Sequence, residues 1–307
     1  MKYAFIFPGQ GSQSFGMGQD FYNNSKGAKE LLDRASNELN IDFATLLFTE
    51  NDKLSISEFT QPAIVLNSLM AYKAFCEQIN LTPDFSLGHS LGEFSALAIS
   101  GAFDFISALK IVNLRGKFMQ QDCDGKGAGM MVVLGLGDEA VNEICANAQA
   151  QGKQAYGANF NCDGQVVVAG LSADLSELES KFKEAGAKRA MLLNMSVASH
   201  CPILENASQR LVKELEGHLA QNFTPVISNA TAKPYTDRSS ALELLKAQLT
   251  SPVLYKQSIV QNPAKLYIEF GANVLKGINK KITDTPTLSI TDMASLEEAI
   301  KFIKDKA

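Results

Sequence analysis

Two hydrophobic rhythms alternate along this chain. Short apolar segments, such as Tyr3-Ala4-Phe5-Ile6-Phe7 and Phe85-Ser86-Leu87, are separated by longer stretches whose apolar residues recur every three to four positions. An unbroken apolar run predicts a strand buried on both faces of a parallel sheet, and the longer period predicts helices packed over it. Over the first part of the chain this gives strands at Tyr3–Phe7 and Phe85–Leu87. It gives helices at Lys26–Asn40, Gln61–Gln78, Glu93–Ser100 and Asp104–Gln121. Thr60 is the expected cap of the second helix, with Pro62 tolerated in its first turn. That helix is apolar over much of its surface (Ile64, Val65, Leu66, Leu69, Met70, Phe75), so it is expected to lie against the sheet.

The pattern changes at Asp122-Cys123-Asp124-Gly125-Lys126-Gly127. Beyond it the sequence predicts a strand at Met130–Leu134 and a helix at Asp138–Gln151 capped by Asp138. Strands at Gln154–Asn159 and Gln165–Ala169 follow, joined by a turn at Asn161-Cys162-Asp163-Gly164. A helix at Leu175–Ala185 and a strand at Ala190–Asn194 complete the stretch. The order βαββαβ is that of a ferredoxin-like unit, and its length suits a small inserted domain.

The remaining chain returns to alternating strands and helices. A loop at Met195–Pro202 leads to a helix at Ile203–Leu219, a strand at Pro225–Ser228 and a helix at Arg238–Leu249. Further helices are expected at Val253–Gln261, Asn273–Ile282 and Ala294–Lys304, with strands at Lys265–Phe270 and Thr287–Ile290. The fold class is therefore α/β, a parallel-sheet core with an inserted βαββαβ small domain. The expected division is residues 1–123 and 196–307 for the core and 124–195 for the insert.

Composition narrows the function. The 307 residues are 46% hydrophobic, ample for a large core. A net charge of −5 without blocks of like charge argues against nucleic acid or an anionic membrane as partner. The apolar run near the start is shorter than a secretory core, and no stretch approaches the length of a membrane helix. Five scattered cysteines without a C-x-x-C pair suit free thiols in a reducing cytoplasm and argue against a metal site.

The chemistry centres on Gly88-His89-Ser90-Leu91-Gly92, which lies between a predicted strand and a predicted helix. G-x-S-x-G in that setting is a nucleophile elbow, a sharp turn that exposes a serine hydroxyl and brings the next amide toward a developing oxyanion. A serine hydroxyl needs a base, and histidine is the usual one near neutral pH. Of three histidines, His89 adjoins Ser90 and diverges from it on a tight turn, which suits it to ordering the elbow. His218 lies among Glu214 and Glu216 on what reads as solvated surface, and His200 remains as the base. No acid between serine and histidine stands at a clear strand end, so a backbone carbonyl is one candidate to orient the imidazole, giving a dyad. Arg115 sits among Ile111, Val112, Leu114 and Phe118. It is either a buried guanidinium for a carboxylate or a surface ion-pair partner. The loop Pro8-Gly9-Gln10-Gly11-Ser12-Gln13 lacks the lysine of a phosphate loop and reads instead as a strand-end loop beside the elbow. Gln10 and Gln248 are neutral amides with no role fixed by spacing.

Several segments together resemble the malonyl-CoA:acyl carrier protein transacylase family of fatty-acid synthesis. They are Phe5–Gln13, Leu87–Glu93, Arg115–Gln120, Gly164–Gly170, Val197–Cys201 and Gln248–Val253, in family order and spread over nearly the whole chain. The resemblance implies a cytoplasmic acyltransferase with a hydrolase-like core and a ferredoxin-like insert, a monomer needing no cofactor. Its partners would be malonyl-CoA as donor and acyl carrier protein as acceptor. It implies Ser90 as acylated nucleophile, His200 as base, and the Gln10 and Leu91 amides as oxyanion hole. Arg115 would hold the malonyl carboxylate, Gln248 would orient His200 through a carbonyl oxygen, and Asn159 would line the pocket. Two departures stand out: Ala198 where the family usually has proline, and Cys162-Asp163 where serine and proline are common. For an acidic carrier protein, Lys188-Arg189 is either part of a basic docking patch or ordinary surface.

Overall fold

The computed structural model describes residues 2–195 and 197–306. Ser196, where the sequence pattern predicts the return to the larger part, lies outside the described residues, as do Met1 and Ala307. Among the described residues ten strands form: β1 Tyr3–Phe7, β2 Phe85–Gly88, β3 Ala128–Leu134, β4 Ala155–Cys162, β5 Gln165–Leu171, β6 Arg189–Leu192, β7 Asn222–Ile227, β8 Pro234–Asp237, β9 Leu266–Phe270 and β10 Thr287–Ile290. They make a six-stranded sheet of order β10-β9-β1-β2-β7-β8 and a four-stranded sheet of order β4-β5-β3-β6. In the larger sheet every pair is parallel except β7 with the edge strand β8. The smaller sheet is antiparallel throughout.

The central strand β1 explains the architecture. Ala4, Phe5, Ile6 and Phe7 are all buried, as an inner strand of a parallel sheet requires. Side chains alternate across the sheet. Phe5 and Phe7 meet Phe270, and Phe5 also meets Phe75 of the Ser57–Gln78 helix, on one face. Ala4 and Ile6 join Leu87, Tyr255 and Ile259 on the other. The register pairs Phe7 with Gly88, so the loop after β1 and the turn after β2 leave the sheet side by side. The site is built there.

Several boundaries differ from the sequence pattern, each for a tertiary reason. The Ser57–Gln78 helix starts a turn earlier than expected, and Thr60 lies inside it instead of capping it. Pro62 cannot donate to the Glu58 carbonyl, but the Asn113 side-chain amide does so at 2.7 Å, which lets the helix run through the proline. Gly137, not Asp138, precedes the Asp138–Ala150 helix, and Asp138 instead pairs with Lys256. Strand β4 extends through Asn161 and Cys162, leaving a two-residue turn at Asp163-Gly164. The predicted Ile203–Leu219 helix is a short 3-10 turn at Pro202–Leu204 followed by Glu205–Leu215. Helices at Gln19–Asn24 and Phe43–Phe48 and the edge strand β8 have too few residues to show a period.

The two sheets are joined at β4. Phe160 donates its main-chain N–H to Val253 O at 2.9 Å, and Val253 donates its own to Ala158 O at 2.8 Å. Lys256 bridges Asp138 and Asp163 nearby. No helix of the described residues is long and apolar enough to cross a membrane.

Candidate active site

Strand β2 ends at Gly88 and a helix begins at Gly92, so the chain reverses within three residues. The reversal depends on the two glycines. A Cβ on Gly88 would lie 1.9 Å from the Gly92 carbonyl carbon, and one on Gly92 would lie 2.1 Å from Phe7 O. Ser90, between them, has φ 52°, a left-handed conformation that costs a non-glycine residue about 1–2 kcal/mol. Asn229, just beyond β7, holds it there. Its Oδ1 accepts from Ser90 N at 2.6 Å, and its Nδ2 donates to Gly88 O at 2.7 Å.

His200 is reached from 110 residues further on, in the loop before Pro202. Ser90 Oγ lies 2.7 Å from His200 Nε2, and His200 Nδ1 lies 2.7 Å from the main-chain oxygen of Gln248. A carbonyl only accepts, so Nδ1 carries the proton. Burial, and then the nearby Arg115 charge, push the imidazole pKa down to about 3, so the ring is neutral and Nε2 is a bare acceptor. The serine hydroxyl therefore donates to it.

Arg115 lies on the Phe105–Cys123 helix and is only 1% exposed. Its Nη1 donates to Gln61 Oε1 at 2.9 Å, and its Nη2 to Gln248 Oε1 at 3.2 Å and to Ser90 Oγ at 3.3 Å. The Phe94 ring lies 5.4 Å away. Burial lowers its pKa to about 10, partly opposed by Glu93, which leaves it charged at neutral pH. Nε has no partner among the described residues, so the guanidinium keeps donor capacity.

The other expected residues surround the same cleft. Gln10 and Asn159 line it, the latter from β4 of the smaller sheet. Leu91 is fully buried directly before the elbow helix. Among the described residues, neither the Gln10 nor the Leu91 main-chain N–H is taken up by another protein group. His89 turns from Ser90 and bonds Asn161 Oδ1 through Nε2 at 2.7 Å, joining the elbow to the smaller sheet. His218 is exposed, 3.2 Å from Ser107 Oγ. Lys188 and Arg189 are exposed at the start of β6. The described residues hold no group of three or more His, Cys, Asp or Glu placed to bind a metal.

Four residues around these groups have no assigned role in the sequence pattern: Gln61, Asn229, Glu93, which accepts from Gln248 Nε2, and Tyr235, whose hydroxyl donates to Glu93. Glu93 lies within a quoted motif, and Asn229 sits just past a strand end, where α/β sheets place site residues. Neither signal separates these residues from ordinary polar positions.

Comparison with known proteins gives the family and the fold. The acyl transferase domain model matches residues 4–272. A malonyl CoA-acyl carrier protein transacylase of Bacillus subtilis (strain 168) is 35% identical over 312 residues, covering 99% of this chain and 98% of its own. The crystal structure of a malonyl-CoA:acyl carrier protein transacylase from Helicobacter pylori superposes with TM-score 0.95 at 47% identity, covering 100% of both chains. A malonyl-transacylase solved in complex with its type II PKS acyl-carrier protein superposes with TM-score 0.93 at 33% identity. It covers 98% of this chain and 100% of its own.

Proposed function

Because the chain belongs to the acyl transferase domain family, among its malonyl CoA-acyl carrier protein transacylases, we propose that it works through a malonyl ester on Ser90. The chain is an acyltransferase of fatty-acid synthesis, moving malonyl groups from malonyl-CoA to acyl carrier protein. The carrying observation is that Ser90 Oγ stands within hydrogen-bond reach of both His200 Nε2 and Arg115 Nη2.

In the first half-reaction Ser90 Oγ attacks the thioester carbon and His200 Nε2 takes the hydroxyl proton. The oxyanion settles on the Gln10 and Leu91 N–H groups. Collapse breaks the carbon–sulfur bond, and His200 returns the proton to the departing CoA sulfur. In the second half the carrier's pantetheine thiol gives its proton to His200 and attacks the ester carbon. Ser90 leaves and recovers the proton. The Gln248 carbonyl holds the imidazole tautomer throughout, so a Ser-His dyad suffices. Arg115 takes the free carboxylate of the malonyl group, using donors beyond those it lends to Gln61 and Gln248. Asn159 lines the acyl pocket.

We read β3 to β6 and their two helices as a ferredoxin-like insert over residues 124–195, with 1–123 and 196–307 forming the core. The enzyme acts as a cytoplasmic monomer without a cofactor. The test is an initial-rate study with malonyl-CoA and holo acyl carrier protein. Parallel double-reciprocal lines, with little free malonate released, support the ping-pong scheme. Intersecting lines exclude it, and dominant malonate release makes the chain a hydrolase.

A further inference from the structure

Glu93 is a carboxylate with 0% exposure on the first turn of the elbow helix, and no lysine or arginine pairs with it among the described residues. A buried charge without an ion-pair partner in contact is expensive, so a neutral residue would be the default. It accepts three hydrogen bonds: from Tyr235 OH to Oε1 at 2.7 Å, and to Oε2 from Gln248 Nε2 at 2.7 Å and Asn229 N at 3.1 Å.

Two of those donors reach the reacting side chains. Gln248 also holds His200 Nδ1 with its main-chain oxygen, and its Nε2 donates to Ser90 O at 3.1 Å. Asn229 clamps the left-handed Ser90 through Oδ1. Both Ser90 and His200 have left-handed backbones, φ 52° and 61°, which a non-glycine residue keeps only where its surroundings hold it.

Resting on the dyad reading above, we infer that Glu93 is a positioning residue of the transfer reaction, fixing through Gln248 and Asn229 the distance between Ser90 Oγ and His200 Nε2. It touches no substrate. A carboxylate presents only acceptors, and all three neighbours present donors. An amide at this position could serve Gln248 and Asn229 with its oxygen and turn its NH2 on the Tyr235 hydroxyl, which can accept, whereas a leucine offers no acceptor to any of the three.

The test uses the full chain with Glu93→Leu, Glu93→Asp, and Ser90→Ala as blank. Ser90 reactivity is read in two ways: acylation by malonyl-CoA under single-turnover conditions, and labelling by a small alkyl fluorophosphonate. The second needs neither CoA nor Arg115, so it reports the readiness of the dyad alone. Glu93→Leu is expected to slow both by roughly 10- to 100-fold while the KM for malonyl-CoA stays within about 2-fold. Glu93→Asp is expected to restore part of the labelling rate. If Glu93→Leu does not fold, Glu93→Asp is compared with the wild type by the same two criteria. Folded variants that label and acylate at the wild-type rate, with only a lower melting temperature, overturn the inference and leave Glu93 a structural residue. Failure of the wild type itself to label at Ser90 instead removes the dyad reading beneath it.

Discussion

Arg115 aims Nη2 at Ser90 Oγ from 3.3 Å, although Arg115 lies within the Phe105–Cys123 helix and Ser90 on the turn between β2 and the Gly92–Ile99 helix. The cation is therefore in direct hydrogen-bond contact with the nucleophile. In the proposed malonyl ester on Ser90, the free carboxylate two carbons from the ester would fall within reach of the guanidinium.

Arg115→Ala should separate charged from neutral acyl groups. Two charge-assisted bonds worth about 3 kcal/mol together predict a loss of roughly two orders of magnitude in acylation by malonyl-CoA. Acetyl-CoA lacks the carboxylate and should lose little. Single-turnover acylation with each donor measures the ratio, and equal losses would show Arg115 to be structural. Arg115→Lys should resemble the alanine variant more than the wild type, because an ammonium cannot hold Gln61, Gln248 and a carboxylate in one plane.

The pH profile should follow Glu93 and not the histidine. Burial raises Glu93 to about 7, against the opposing bonds from Gln248, Tyr235 and Asn229 and the charge of Arg115. His200 is pushed to about 3 and stays neutral through the working range. A carboxyl pKa raised to about 7 means that the group is half protonated at pH 7 and mostly protonated below it, and the protonated group no longer presents acceptors alone to its three neighbours. Acylation should therefore decline below about pH 7, and Glu93→Gln should flatten that limb. A limb that keeps its midpoint in Glu93→Gln belongs to another group.

Gly116→Ala tests how Arg115 is placed. A Cβ there would lie 2.3 Å from Ser57 O, a backbone atom of the neighbouring Ser57–Gln78 helix. The helices must part or shift, at about 1–3 kcal/mol. Thermal melting should show the loss, and activity of the folded fraction should fall more for malonyl-CoA than for acetyl-CoA. A normal melting temperature would mean that the helices separate freely.

The readable parts of this protein are those where backbone geometry dictates residue type. The elbow needs glycine on both sides of Ser90, and β1 needs four consecutive apolar residues, so both are legible without coordinates. The imidazole's orienting group has no side-chain signature, because a main-chain carbonyl of Gln248 does the task that an acid would announce. Asn229, Gln61 and Glu93 are ordinary polar residues until the fold brings them together from 139, 54 and 155 positions away from their partners Ser90, Arg115 and Gln248. The early start of the Ser57–Gln78 helix was hidden for the same reason: the carbonyl freed by Pro62 is taken by Asn113, 55 residues from it in sequence.

The most direct test of the central claim is intact-protein mass spectrometry with peptide mapping after a brief incubation with malonyl-CoA. One malonyl group on Ser90 is expected in the wild type, none in Ser90→Ala, and a much slower appearance in His200→Ala. A stable malonyl adduct on any other residue, or undiminished acylation without His200, would contradict it.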